Sequence, residues 1–116
     1  MIRRSGEYRT EQREEMRGGK GTVTIEHFWE PKTEMRPHTR VCAKLTIPPG
    51  GSIGFHPHDA EEEIFVVIRG TAEADDNGEV VQLGVGDTLL TGNGDGHAIR
   101  CTSEEPLELL AVIATY

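Results

Sequence analysis

The chain has 116 residues, a formal charge of −8 and two isolated cysteines, Cys42 and Cys101. That length suits one domain, and two lone cysteines exclude a disulfide scaffold and a thiolate metal pattern, so a reducing cytoplasm is the expected home. Residues 21–116 carry sixteen acidic and six basic side chains, against four and six in residues 1–20; such a body repels nucleic acid and anionic membranes, and neither is an expected partner.

Residues 1–21 read as an N-terminal arm. No apolar run follows the basic opening residues, so no secretory leader is expected, and no stretch approaches membrane-spanning length. The polar segment 10–17 could hold one or two helical turns but has no apolar stripe to bury, and Gly18-Gly19-Lys20-Gly21 breaks it. Residues 22–116 are then expected to form a β-barrel domain. Strands are expected at 22–29 and 40–47, the second placing Val41, Ala43, Leu45 and Ile47 on one face. Pro48-Pro49-Gly50-Gly51 marks a corner. The segment 52–58, an acidic loop at 59–62 and a strand at 63–70 follow. In that strand Glu63, Phe65 and Val67 share one face and Ile64, Val66 and Ile68 the other, so both faces read as covered. Asn77-Gly78 between two short strands is a strong hairpin turn. Short strands at 88–91, 97–101 and 107–115 complete the set. Seven to ten strands with no helix of two turns after residue 20 give an all-β sandwich or small barrel.

One constellation carries chemistry in its spacing. His56 and His58 are two apart, so both imidazoles project from one face of an extended strand. Glu63 opens the next strand in phase with Phe65 and Val67, while Glu62 falls out of phase and is the weaker choice of ligand. His97 begins a later strand in phase with Ile99 and Cys101. Four buried ionisable groups need compensation, and one divalent transition metal per subunit would provide it. All-nitrogen-and-oxygen ligation favours Mn, Fe, Ni, Co, Cu or Zn and leaves positions open on an octahedral ion. His27 and His38 read as ordinary surface or core residues, and Glu61 as part of a solvated loop.

These residues resemble the cupin superfamily. Gly50-x5-His56-x-His58-x4-Glu63-x6-Gly70 matches its first motif at every defined position. The second, Gly86-x5-Gly92-x-Gly94-x2-His97-x3-Cys101, matches in Gly86, Gly94 and His97, with Gly92 where proline is usual and Cys101 where asparagine is usual. The resemblance covers about residues 40–114 and is closest to compact single-domain bacterial cupins. It implies a double-stranded β-helix, a jelly-roll barrel, with a metal on His56, His58, Glu63 and His97. Dimers are common in the family, whose chemistry spans oxygenases, decarboxylases, isomerases and non-catalytic binding modules, so membership does not fix a reaction.

The expected function is that of a small metal-binding cupin acting as an enzyme on a small oxygenated, anionic metabolite, of dioxygenase, decarboxylase or isomerase type. The alternative is a non-catalytic, metal-assisted module that binds or senses a small molecule or sugar. An enzyme needs a proton carrier besides the metal ligands, and Asp95 and Glu62 are the weak candidates. Cys101 reads as apolar packing, and Arg100 is out of phase with the ligand face. The directions of Arg40 and Lys44 stay open. A homodimer is expected, because Ile64, Val66 and Ile68 leave an apolar outer face for the arm and strand 22–29, in the same or the partner subunit, to cover.

Overall fold

Period-two alternation of apolar and polar residues becomes ten strands in a computed structural model that describes residues 1–35 and 38–116. The strands are β1 (Arg9–Glu14), β2 (Thr22–His27), β3 (Thr39–Ile47), β4 (Ser52–Pro57), β5 (Glu61–Arg69), β6 (Ala72–Asp76), β7 (Glu79–Leu83), β8 (Thr88–Gly92), β9 (Gly96–Cys101) and β10 (Leu107–Thr115). They form two antiparallel sheets, of order β1-β2-β3-β10-β5-β8 and β4-β9-β6-β7. The core lies between them: Val23, Leu45, Ile47, Phe65 and Leu109 from the larger sheet meet Ile53, Ala74, Ile99 and Cys101 from the smaller.

Strand phase decides each side chain's layer. In β3, Ala43, Leu45 and Ile47 are buried. Lys44 points outward, 3.4 Å from Glu26 and 3.1 Å from Glu108. The pairing of β10 with β3 slips between Ile113, opposite Val41, and Ala114, opposite Thr39. The extra residue in that bulge is Arg40, and bulges re-aim side chains in this way. The β6–β7 hairpin turns at Asn77-Gly78, both with positive φ, as its sequence requires.

Three expectations are corrected. The first concerns the helical turns expected at 10–17. β1 occupies most of that span, pairing with β2 along its length, and a short 3-10 turn at Met16–Gly18 follows. Pairing to β2 satisfies the backbone of this polar segment without any buried stripe of its own. The second concerns β5, whose outer face is open: Ile64 is 40 % and Ile68 45 % exposed. The third concerns strand 22–29, of which Thr22–His27 is β2. It lies at the opposite end of the sheet from β5 and β8, so within one chain neither it nor β1 covers that face.

The 3-10 turn is held flat against β4 by glycine. A Cβ on Gly54 would lie 2.0 Å from the Arg17 carbonyl oxygen, and one on Gly19 2.0 Å from that of Ser52. Only bare backbones approach so closely. The turn becomes a wall over the barrel interior, and its Met16 packs against the core.

Candidate metal centre

His56 lies at the end of β4 and His58 one residue past it, Glu63 is in β5 and His97 in β9. β4 reaches the centre through a register shift between Ile53 and His56, so both are buried although three residues apart. His56 then pairs directly with His97, and Glu63 with Thr91 on β8. Pairing across strands on one face is what gathers residues far apart in sequence.

One ligand atom from each of the four residues lies within 4.8 Å of the others, and all four residues are buried. Glu63 Oε1 is 3.0 Å from His58 Nε2 and 3.1 Å from His97 Nε2. The two Nε2 atoms are themselves 3.1 Å apart. Phe65 stacks on the His97 ring at 4.8 Å and 11°, fixing its plane.

Each imidazole is held from behind through Nδ1. His56 Nδ1–H donates to the Gly54 carbonyl at 2.7 Å, and His58 Nδ1–H donates to Glu61 Oε2 at 2.6 Å. His97 Nδ1 shares a 2.8 Å hydrogen bond with the Thr91 hydroxyl. These partners leave Nε2 as the free nitrogen on every ring and set its direction. Nε2 lone pairs and a carboxylate then converge in a buried space with little to donate among them. A cation resolves that conflict, and the all-nitrogen-and-oxygen donor set suits a divalent transition metal.

A proton on His58 Nε2, facing Glu63 at 3.0 Å, is the alternative to a cation. Hydrogen bonding to Glu63 holds the His58 pKa above its ordinary value, against the effect of burial. Burial pushes Glu63 upward, but its bonds to His58 and His97 outweigh this and leave it below the usual carboxylate range. Burial holds His56 low, opposed by its bond to Gly54 and aided by the positive surroundings of His97, His58 and Arg17. The Arg40 guanidinium grips Glu61 with two 2.9 Å hydrogen bonds and, against burial, brings its carboxyl to about 2.

Glu61 therefore corrects an expectation. Its side chain is only 14 % exposed and it orients His58, so it is no solvated loop residue. Its signal in the sequence was position: three residues after His58, at the end of a tight connection. Glu62 sits outside the cavity, accepting a 3.4 Å hydrogen bond from the Tyr116 hydroxyl. Asp95 is exposed in the β8–β9 loop, and it is its backbone carbonyl that accepts the His58 N–H, at 2.9 Å. Neither carboxylate lines the cavity beside the four donors. Gly92, in place of the usual proline, pairs with Glu62 where a Cβ would lie 2.4 Å from the Glu62 Cβ. Cys101 is buried in the core, its Sγ 3.4 Å from the Glu105 carbonyl. Arg100 points outward to Glu73, and His38 is exposed.

The cavity beside the donors measures about 70 Å³. Its walls include the apolar Ile25, Leu45 and Ile53, three arginines (Arg13, Arg17 and Arg40) and a histidine from β2, His27. β2 turns His27 inward, where it is 8 % exposed, as a core residue would be, and places its ring on the cavity wall.

Residues 43–113 match the cupin domain family. The chain belongs to the cupins. This cupin is 40 % identical over 113 residues to an oxalate-binding protein of Thermotoga maritima, covering 97 % of this chain and 93 % of that one. The crystal structure of a predicted oxalate decarboxylase from Thermotoga maritima superposes with a TM-score of 0.94 at 39 % identity over the whole of both chains. The cupin domain of Cnp3 from Schizosaccharomyces pombe has a TM-score of 0.74 at 13 % identity, covering 91 % of this chain and 69 % of that one. That last likeness is one of fold alone.

Proposed function

We propose that this cupin holds one divalent transition metal on His56, His58, Glu63 and His97 and uses it to bind a small chelating dicarboxylate of the oxalate class. The observation that carries this reading is the pairing of the four-donor centre with a small cavity whose wall is cationic. An ion bound there supplies Lewis acidity and open positions for two oxygens of an anion. Arg13 is paired with Glu11 and Arg40 with Glu61, while Arg17 has no ion-pair partner among the described residues and is free to meet the ligand. About 70 Å³ is roughly five water-sized volumes at ~15 Å³ each, which suits a two- or three-carbon acid and not a sugar ring. The names of the Thermotoga maritima relatives point to the same ligand class.

Binding is preferred to turnover because the described lining of the cavity offers no carboxylate, apart from a metal donor, to carry a proton. Among the described lining residues Glu63 is the single carboxylate, and it is a metal donor. Calorimetric titration of Mn(II)-loaded protein with oxalate tests the reading, alongside an assay for formate and carbon dioxide. Saturable binding that vanishes with the metal or in His58→Ala, without products, is the expected result. Failure to bind oxalate at millimolar concentration would refute the reading, and product formation would replace it with a decarboxylase.

We further propose that two copies associate through the outer face of the larger sheet. Ile64, Ile68 and Leu90, exposed by 40 %, 45 % and 60 %, form its apolar patch.

A further inference from the structure

Among the described residues, His27 Nε2 is the one buried side-chain nitrogen or oxygen without a hydrogen-bond partner. The residue is 8 % exposed. Glu11 Oε1 lies 3.4 Å away but outside hydrogen-bonding geometry, and Glu11 is already engaged by Arg13 at 2.8 Å. An unmade hydrogen bond on a buried group is costly to keep. β2 could have placed an aliphatic residue at this register, as it does with Val23 and Ile25 on the same face. The ring lines the same cavity as His56, His58 and Glu63, yet comes from a strand that supplies no metal donor.

We propose that His27 is the ligand-orienting residue of the cavity, its Nε2–H donating to the oxygen of the bound dicarboxylate that faces away from the metal. This rests on the function proposed above. The neighbouring Glu11 carboxylate favours the tautomer with the proton on Nε2, which is the form that can donate to an anion. The ion grips the near oxygens of the ligand and His27 a far one, so the cavity selects for a second carboxylate. A monocarboxylate of similar size chelates as well but leaves Nε2 unsatisfied, and buried polar groups left unpaired in this way are the strongest discriminators a site has. With β2 outside the metal centre, His27 can set ligand preference without setting metal affinity.

The test uses Mn(II)-loaded wild-type protein, His27→Phe and His27→Gln, titrated with oxalate and with acetate, with bound manganese measured in each. Losing a hydrogen bond to a charged group corresponds to about tenfold to a hundredfold in affinity. The expected result is that loss for oxalate in His27→Phe and a loss of threefold or less in His27→Gln, which keeps an N–H donor. Weak acetate binding and manganese content should be the same in all three. If both variants bind oxalate as wild type does, while His27→Phe and Glu11→Gln lower the melting temperature equally, His27 is only the partner of Glu11 and the inference is overturned. If wild-type protein retains manganese but does not bind oxalate, the functional reading falls and the inference with it; binding by wild type is therefore the measurement that separates the two failures.

Discussion

His58 shows how much of a proposed metal ligand's work falls to its neighbours. Its backbone N–H is held by the Asp95 carbonyl and its Nδ1 by Glu61, which Arg40 grips in turn. Glu61→Ala removes the orienting carboxylate while leaving all four donors in place. We expect metal affinity to fall by about tenfold to a hundredfold, the usual effect of losing such a partner, as read by competition with a chelator. Unchanged affinity would mean that packing alone fixes the ring. The dependence of this chain on Glu61 was hidden in the sequence because three successive glutamates look alike there. Strand phase separates Glu63 from Glu62, but Glu61 shares its phase with Glu63 and acts through His58 from the first position of β5.

At the scale of elements, the N-terminal segment is part of the site. β1 brings Arg13 to the cavity, and the turn at Met16–Gly18 brings Arg17. The contact of that turn with β4 leaves no room at Gly54, where a Cβ would lie 2.0 Å from the Arg17 carbonyl oxygen. Gly54→Ala should therefore cost about 1–3 kcal/mol, as overpacking does, and should speed hydrogen exchange at residues 15–19 more than in the rest of the barrel. Equal protection in both proteins would show that the turn does not depend on this contact.

The segment before β1 is tethered by charge. Arg3 donates to Glu34 at 2.9 and 2.6 Å and lies 4.8 Å over the Trp29 ring. The hydrogen bond from Arg3 holds the Glu34 carboxyl at about 2, below its ordinary 4.5. A depressed carboxyl stabilises the folded form above its ordinary pKa, and that contribution is lost as pH falls through the folded value. Fluorescence of Trp29, the single tryptophan, should then be steady down to pH 4 and change with a midpoint near 2. Glu34→Gln should abolish that transition; if it persists, another group is responsible.

Across the whole molecule, the proposed metal centre would be linked to the fold. Three of the donors lie in strands of both sheets and His58 directly follows β4, so an ion that binds only the folded chain would stabilise the entire barrel. Manganese at a hundredfold excess over its Kd should add about 2.7 kcal/mol, roughly 10 °C in Tm for a domain of this size. A melting curve indifferent to metal would contradict the proposed centre. The apolar outer face is the other molecule-wide feature. Sedimentation should give a dimer at micromolar concentration for the wild type and a monomer for Ile64→Glu with Leu90→Glu; a wild-type monomer would refute the shared face.

By itself, the sequence determined the all-β fold, the hairpin at Asn77-Gly78 and the grouping of the four donors, because alternation and turn chemistry are local and a strand's phase fixes the face of every side chain on it. It also carried the family, through glycine and histidine spacings that survive Gly92 and Cys101 at unusual positions. Only the tertiary structure decided what surrounds the centre. Polar β1 earns no strand from its own pattern and is a strand because β2 satisfies its backbone. Arg40 reaches the cavity through a bulge, and Glu61 is placed against His58 by the turn between two strands. His27 joins the cavity because β2 pairs with β3, three strands away from Glu63. Those facts rest on pairings between segments far apart in the chain, and no residue's own neighbourhood records them.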